Sequence, residues 1–381
     1  MSDWFAWLMN NRLIHVPLVR FTESIHKVES RGAELLKKSV DNGDGVMIIP
    51  NHPRISDPVV LYDLIRRANT PMFAMASWHL FNQTWFHAAV IRLYGGYSIN
   101  REGLDRESIN FSIAAMQNNN RPLLVFPEGA TSRTNDSMMP FLDGPTFIAR
   151  TAARRRSKLG LRTVVHPVAI RYVFTGDFTK ELNRLMNPVE DALKLSGGQS
   201  LEPAARVQRA LDSLVAKQEL EFGVEPGDSL SPFERRQRLA DSVMATAEVR
   251  CFGERSESDF SNRIREVRSH AFPELLANEN LSAEEQKIRW RDLERTYLTW
   301  QMATYPNDYL AGNPSNDRVL EIAAKIHEDV HDKPRKCSRQ KVIVECCEAI
   351  EVPADKHRGP ETDPLIEQVV KSIKAKLETL G

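Results

Sequence analysis

Three short stretches carry side chains suited to acid–base chemistry or to holding a charged group. In Asn51-His52-Pro53-Arg54-Ile55-Ser56-Asp57-Pro58, His52 stands just past the apolar run GVMIIP of residues 45–50. Asp57 stands where a helix is expected to begin, as its N-cap with Pro58 at the first helical position, and the helix dipole there favours an ionised carboxylate. The loop between them is long enough to fold back, so the carboxylate can bond one imidazole nitrogen and set its tautomer. The other nitrogen is then left to take a proton from a hydroxyl. The plain alternative is that Asp57 only caps a helix and His52 only fills a turn. In VFPEGATSR (125–133), Glu128 and Arg133 are candidates for binding a polar substrate. In GGYSINREG (95–103), Arg101 follows a glycine turn and suits a phosphate. VVHPVAI (164–170) places Pro167 inside an apolar strand, where the ladder is expected to break.

These groups need a frame that brings them to one edge. A helix is expected after Thr22, with Ile25, Val28, Leu35 and Leu36 on one face. Strands are then expected at 45–50, 71–76, 122–127 and 163–174, alternating with helices at 57–67, 83–93, 105–117 and 144–156. The strand signals stop between 179 and 337, where charged helical segments dominate. They return at KVIVECCEAIEV (341–352), followed by an amphipathic helix over 362–380. The reading is an α/β fold: a mixed, mostly parallel sheet flanked by helices, interrupted by a largely helical insertion before the last strand and helix. Its parts are a core over 1–178, an insertion of unknown role over 179–337, and a closing strand and helix over 338–381. No internal repeat is evident. In such sheets ligands bind beyond the carboxyl ends of the strands, where His52 and Glu128 fall.

Composition narrows the setting. Residues 1–178 carry 21 Lys/Arg against 15 Asp/Glu, whereas 179–337 carry 23 against 28. The basic excess gathers in RTAARRRSKLGLR, at Arg150, Arg154, Arg155, Arg156, Lys158 and Arg162, which reads either as a solvated helix face or as a surface for an anionic membrane or a phosphate. Nothing points to nucleic acid. No apolar run reaches 18 residues, so a spanning helix is not expected, and the N-terminus lacks the pattern of a signal peptide. Four cysteines, unevenly spaced, make neither a disulfide framework nor a Cys-rich zinc site, which places the chain in a reducing, cytoplasmic compartment. Trp4, Phe5 and Trp7 make residues 1–21 a candidate membrane-surface segment.

The order and spacing of the four stretches resemble the glycerolipid acyltransferase family, which includes 1-acylglycerol-3-phosphate acyltransferases. Its first motif, N-H-x4-D, is matched by Asn51, His52 and Asp57; its third, F-P-E-G, by Phe126, Pro127, Glu128 and Gly129. The second resembles Gly95, Gly96 and Arg101, and the fourth Val164–Ile170 with Pro167. The phrases REGLDR and SRTND…FIARTAA look like a bacterial branch. The likeness spans about 25–178 and 338–381. The chain departs at Arg54, where a serine is common, at Ala130 and Thr131 before Arg133, and at Cys347 and Ala349.

The resemblance implies transfer of a fatty acyl group from a thioester, acyl-CoA or acyl-carrier protein, to a lysophospholipid hydroxyl. Lysophosphatidic acid is the favoured acceptor. His52 is the general base, oriented by Asp57, while Asn51, Arg101, Glu128, Gly129 and Arg133 bind substrate. The chemistry requires no metal and no cofactor. The enzyme would work as a peripheral protein on the inner face of the cell membrane, on an anionic membrane surface. Two other readings stand beside it. One keeps the fold without activity, as a lipid-binding or scaffold protein. The other is a zinc hydrolase using H-E-x-x-H at His327, Glu328 and His331, although Asp329 and the following DKPRK fit such a helix poorly.

Overall fold

The computed structural model describes residues 24–100, 105–118, 121–227, 229–277, 281–357 and 362–380. Trp4, Phe5, Trp7 and Arg101 lie outside them. Among the described residues the chain divides into two compact units, one made of 24–100, 105–176 and 336–380, the other of 177–335.

The first unit opens with β1 (Ile25–Arg31) and α1 (Ala33–Asp41). This corrects the single helix expected to follow Thr22. Residues 25–31 pair in parallel with the closing strand, and that pairing overrides a weak helical pattern. Gly32, at φ 73°, turns the chain where any Cβ would meet the Cys346 carbonyl. Then follow β2 (Gly45–Pro50), α2 (Asp57–Arg67), β3 (Phe73–Ser77), a 3-10 turn (Trp78–Asn82), α3 (Trp85–Leu93), β4 (Gly96–Ile99), α4 (Arg106–Asn118), β5 (Leu123–Leu124), α5 (Gly144–Ser157) and β6 (Thr163–Phe174).

The second unit is helical: α6 (Phe178–Leu193), α7 (Pro203–Phe222), α8 (Pro232–Phe252), α9 (Phe260–Ala277), α10 (Ala283–Ala303) and α11 (Asn316–His331). It contains a repeat that hydrophobic patterning did not reveal. Arg206, near the start of α7, forks onto Glu190, near the end of α6, at 2.9 and 2.7 Å. Arg235 of α8 does the same to Glu219 of α7. Arg263 of α9 repeats it on Glu248 of α8 at 2.7 and 2.8 Å. The glutamates stand 29 residues apart. Ser200, Leu201, Pro203, Gln208, Arg209, Asp212 and Ser213 recur at the same interval as Ser229, Leu230, Pro232, Gln237, Arg238, Asp241 and Ser242. The period rests on polar positions within a continuous helical pattern.

The chain returns to the sheet with β7 (Gln340–Cys346), β8 (Ile350–Glu351) and α12 (Pro364–Thr379). The strand order is β1-β7-β6-β2-β5-β3-β4, with β8 also on β6. All pairings are parallel except those of β6 with β7 and β8. The all-apolar β2 is explained by its two covered faces. Val46 and Ile48 pack with Leu61 and Leu64 of α2 on one side, and Met47 and Ile49 with Ile148 and Ala152 of α5 on the other.

The expected interruption at Pro167 falls on its neighbour. β6 runs unbroken through Pro167, while the strand expected over 341–352 is split at 347–349. Pro167 has no N–H to give on that side, and only its carbonyl is used, by Cys347 N–H at 2.8 Å. β5 is shorter than expected because the chain leaves the ladder after Leu124 and turns toward His52.

Candidate active site

Asn51, His52 and Asp57 stand where β2 runs out. β2 pairs with β6 only as far as Pro50 opposite Val168, so the polar groups of β6 that face it from Ile170 onward need other partners. Asn51 supplies them: its Nδ2 donates to the Ile170 carbonyl at 3.0 Å and its Oδ1 accepts the Ile170 N–H at 2.7 Å. Asn135 does the same two residues on, with Tyr172 O at 2.7 Å and Tyr172 N at 2.9 Å. Two asparagine amides thus extend the sheet where a strand ends. Asn51, expected among the substrate-binding residues, is buried and doubly bonded to β6, and so holds the backbone from which His52 projects.

Asp57 is the first residue of α2, with Ser56 at the N-cap, and its side chain turns back rather than capping the helix. Oδ2 lies 2.8 Å from His52 Nδ1 and accepts the Arg54 N–H at 2.9 Å. Oδ1 accepts the Tyr172 hydroxyl at 2.6 Å. The Asp57 side chain has no exposed surface, whereas that of His52 keeps 15%. With Nδ1 carrying its proton toward the carboxylate, Nε2 is left with a lone pair. Phe126 stacks on the imidazole, centroids 3.9 Å apart.

Tyr172 was not singled out in the sequence. It is fully buried, its hydroxyl also lies 3.1 Å from Ser56 Oγ, and the Arg54 guanidinium sits 5.3 Å over its ring. Burial first, then the charge of Asp57, hold this phenol well above its usual proton affinity, so it donates at any ordinary pH. Its place inside an apolar strand, five residues past Pro167, hid it. Only the fold brings it to a carboxylate 115 residues away.

Glu128 and Gly129 lie on the turn after Phe126, with Gly129 at φ 73°. Glu128 was expected to contact substrate. Its Oε1 accepts the His52 N–H at 2.6 Å and its Oε2 the Met139 N–H at 2.8 Å, so it ties the histidine backbone to its own loop. The Ser132 N–H donates to the His52 carbonyl at 2.9 Å, completing the tie. Burial pushes the Glu128 carboxyl up to about 8, aided by the Asp57 charge and opposed by the two N–H donors. Arg133, half-buried on the same loop, adopts φ 61°, a backbone region that side chains disfavour.

Other expected residues are placed elsewhere. Arg156, counted with a basic surface, is 1% exposed and donates to the carbonyls of Gly43, Met116, Gln117 and Arg162. It knits loops at the amino edge of the sheet, opposite His52. His327 and His331 sit on α11 with ring centroids 4.6 Å apart. Arg335 brings a guanidinium to 3.4 Å from His327 Nε2, where a metal would need to be. Burial, then His331 and Arg335, push His327 down to about 4. Among the described residues no three His, Cys, Asp or Glu side chains gather as a metal set, so the zinc reading finds no third ligand there.

No curated protein matches the chain. The segment that brings His52, Asp57 and Glu128 together matches the Acyltransferase family model over residues 27–171.

Proposed function

We propose that the protein transfers a fatty acyl group from a thioester, acyl-CoA or acyl-carrier protein, to a hydroxyl of a lysophospholipid, with lysophosphatidic acid giving phosphatidic acid as the leading case. The observation that carries this reading is the His52 Nδ1 to Asp57 Oδ2 contact of 2.8 Å, which orients a partly exposed imidazole inside a segment of acyltransferase type. His52 Nε2 takes the proton of the acceptor hydroxyl as its oxygen attacks the thioester carbonyl. The C–O bond forms, the C–S bond breaks, and the departing thiolate receives the proton from the imidazolium. Asp57 stabilises that cation and remains ionised. Asn51 and Glu128 keep the histidine in place, and Arg101 and Arg133 are the cations offered to the acceptor phosphate. No helix among the described residues is long and apolar enough to cross a membrane, so the proposed meeting with lipid is at the surface, on the inner face of the cell membrane.

The test follows free thiol and diacyl product together, with lysophosphatidic acid in vesicles and acyl-CoA as donor. His52→Ala removes the base, and a loss of about 10²–10⁴-fold is expected. Thiol release without diacyl product would mean another acceptor or plain thioester hydrolysis. No thiol release from any acyl thioester, with any lysolipid, would overturn the reading.

A further inference from the structure

The edge of the sheet that carries His52 also carries a surface that proton transfer does not use. Helix α3 reads WFHAAVIRL, and Ala88 is its one buried residue. Trp85 is 82% exposed and Phe86 61%, their rings edge to face with centroids 6.0 Å apart. Aromatic rings of this size usually bury most of their area in soluble proteins, so two adjacent exposed ones ask for an apolar medium. Their position is set: the Thr84 hydroxyl caps α3 by accepting the His87 N–H at 3.1 Å, fixing both rings in the first turn, just past the carboxyl end of β3. β3 runs parallel to β5, and β5 to β2, so this is the edge at which His52 stands. Ile55, in the loop between His52 and Asp57, is 75% exposed on the same edge. Beside α3, Trp78, Phe81, Tyr97 and Arg92 line a cavity of about 470 Å³, with the Arg92 guanidinium 5.4 Å over the Phe81 ring.

Charge identifies the medium. From Leu64 through Arg101 there is no aspartate or glutamate, although an even spread of the chain's 51 acidic residues would put about five there. Arg66 and Arg67 end α2 at the amino edge, each bonded to Asp63, so the cation of the segment at issue is Arg92, beside His79 and His87. An acid-free, cation-bearing surface with exposed tryptophan and phenylalanine matches the headgroup layer of an anionic leaflet, where indole rings settle and cations are attracted. The basic residues Arg154, Arg155 and Lys158 end α5 just before β6 begins, at the amino edge. A leaflet that met them would lie away from His52.

We propose that the segment Trp78–Leu93 docks the protein on an anionic phospholipid surface, with Trp85 and Phe86 entering the headgroup layer and His52 held at the lipid boundary. This rests on the acyl-transfer reading only in taking the substrates of His52 to be lipids.

The test is flotation of the full chain with vesicles of phosphatidylglycerol in phosphatidylcholine and with phosphatidylcholine alone. The double variant Trp85→Ser/Phe86→Ser alters only exposed side chains, and circular dichroism checks that it is folded. We expect selective binding to the anionic vesicles, weakened by high salt, and a fall of about tenfold or more in partitioning for the variant. Brominated acyl chains should quench the tryptophan emission of the native chain more than that of Trp85→Phe. Three results would overturn the proposal: unchanged flotation of the double variant, equal binding to neutral vesicles, or a variant whose only change is weaker self-association in sedimentation. Flotation needs no turnover. A native chain that floats through these rings yet releases no thiol sinks the acyl-transfer reading alone, and one that transfers acyl groups but floats like the variant sinks the docking alone.

Discussion

The Tyr172 hydroxyl donates to one oxygen of the Asp57 carboxylate at 2.6 Å while the other oxygen faces His52 Nδ1 at 2.8 Å. The phenol therefore fixes which way the carboxylate points, and with it the imidazole. Tyr172→Phe keeps the ring under Arg54 and removes only the donor. It should lower kcat about tenfold, the scale of one hydrogen bond to a charged group, with little change in KM. The groups facing this pair are Arg54, Glu128 and Ser56. Without the phenol donor the carboxylate loses the contact that aims it, so kcat should fall while KM and substrate binding stay near native. A variant that is merely destabilised would lower the melting temperature and the active fraction without this split between kcat and KM.

Glu128 makes a pH prediction. Its folded value of about 8 lies above its ordinary 4.5, so between those two values the folded state binds more protons than the unfolded one. This group's contribution is fully present below about 4.5 and is lost as pH rises through about 8. The difference in melting temperature between the native chain and Glu128→Gln should therefore drift against the native chain as pH rises across that window. Scanning calorimetry at matched ionic strength reads it; a difference that stays constant with pH would refute it.

Asn51→Ala leaves the Ile170 N–H and carbonyl without partners in a buried place. Each such group costs about 1–3 kcal/mol, so a loss of a few kcal/mol is expected by denaturant unfolding. Activity should fall further than stability explains, because the backbone leading to His52 loses its anchor. Asn135→Ala should match the loss in stability while affecting catalysis less.

The ladder of arginine–glutamate forks in the helical unit can be tested by pairs. Arg263→Met alone leaves Glu248 buried and unpaired and should cost about 3–5 kcal/mol, whereas Arg263→Met with Glu248→Leu should recover most of that. Thermal unfolding of the two variants decides whether the forks act as matched pairs.

What the sequence determined by itself was local. The helix and strand periods of most elements, the placing of His52 after an apolar strand and of Asp57 at a helix start all follow from neighbours within a few residues. Apolar alternation and turn chemistry act over that range. The tertiary structure decided whatever depends on distant partners. Residues 25–31 became a strand because β7 offered them a ladder. Arg156 became a loop clasp because four carbonyls converge on it, and Glu128 an anchor because the His52 N–H points at it. Tyr172 joined the site through a contact across 115 positions, which no local pattern encodes. The helical period is present in the sequence as identities 29 residues apart, such as Pro203 with Pro232 and Asp212 with Asp241, but hydrophobic patterning passes over it, and only the structure shows that the repeating contact is an arginine–glutamate fork.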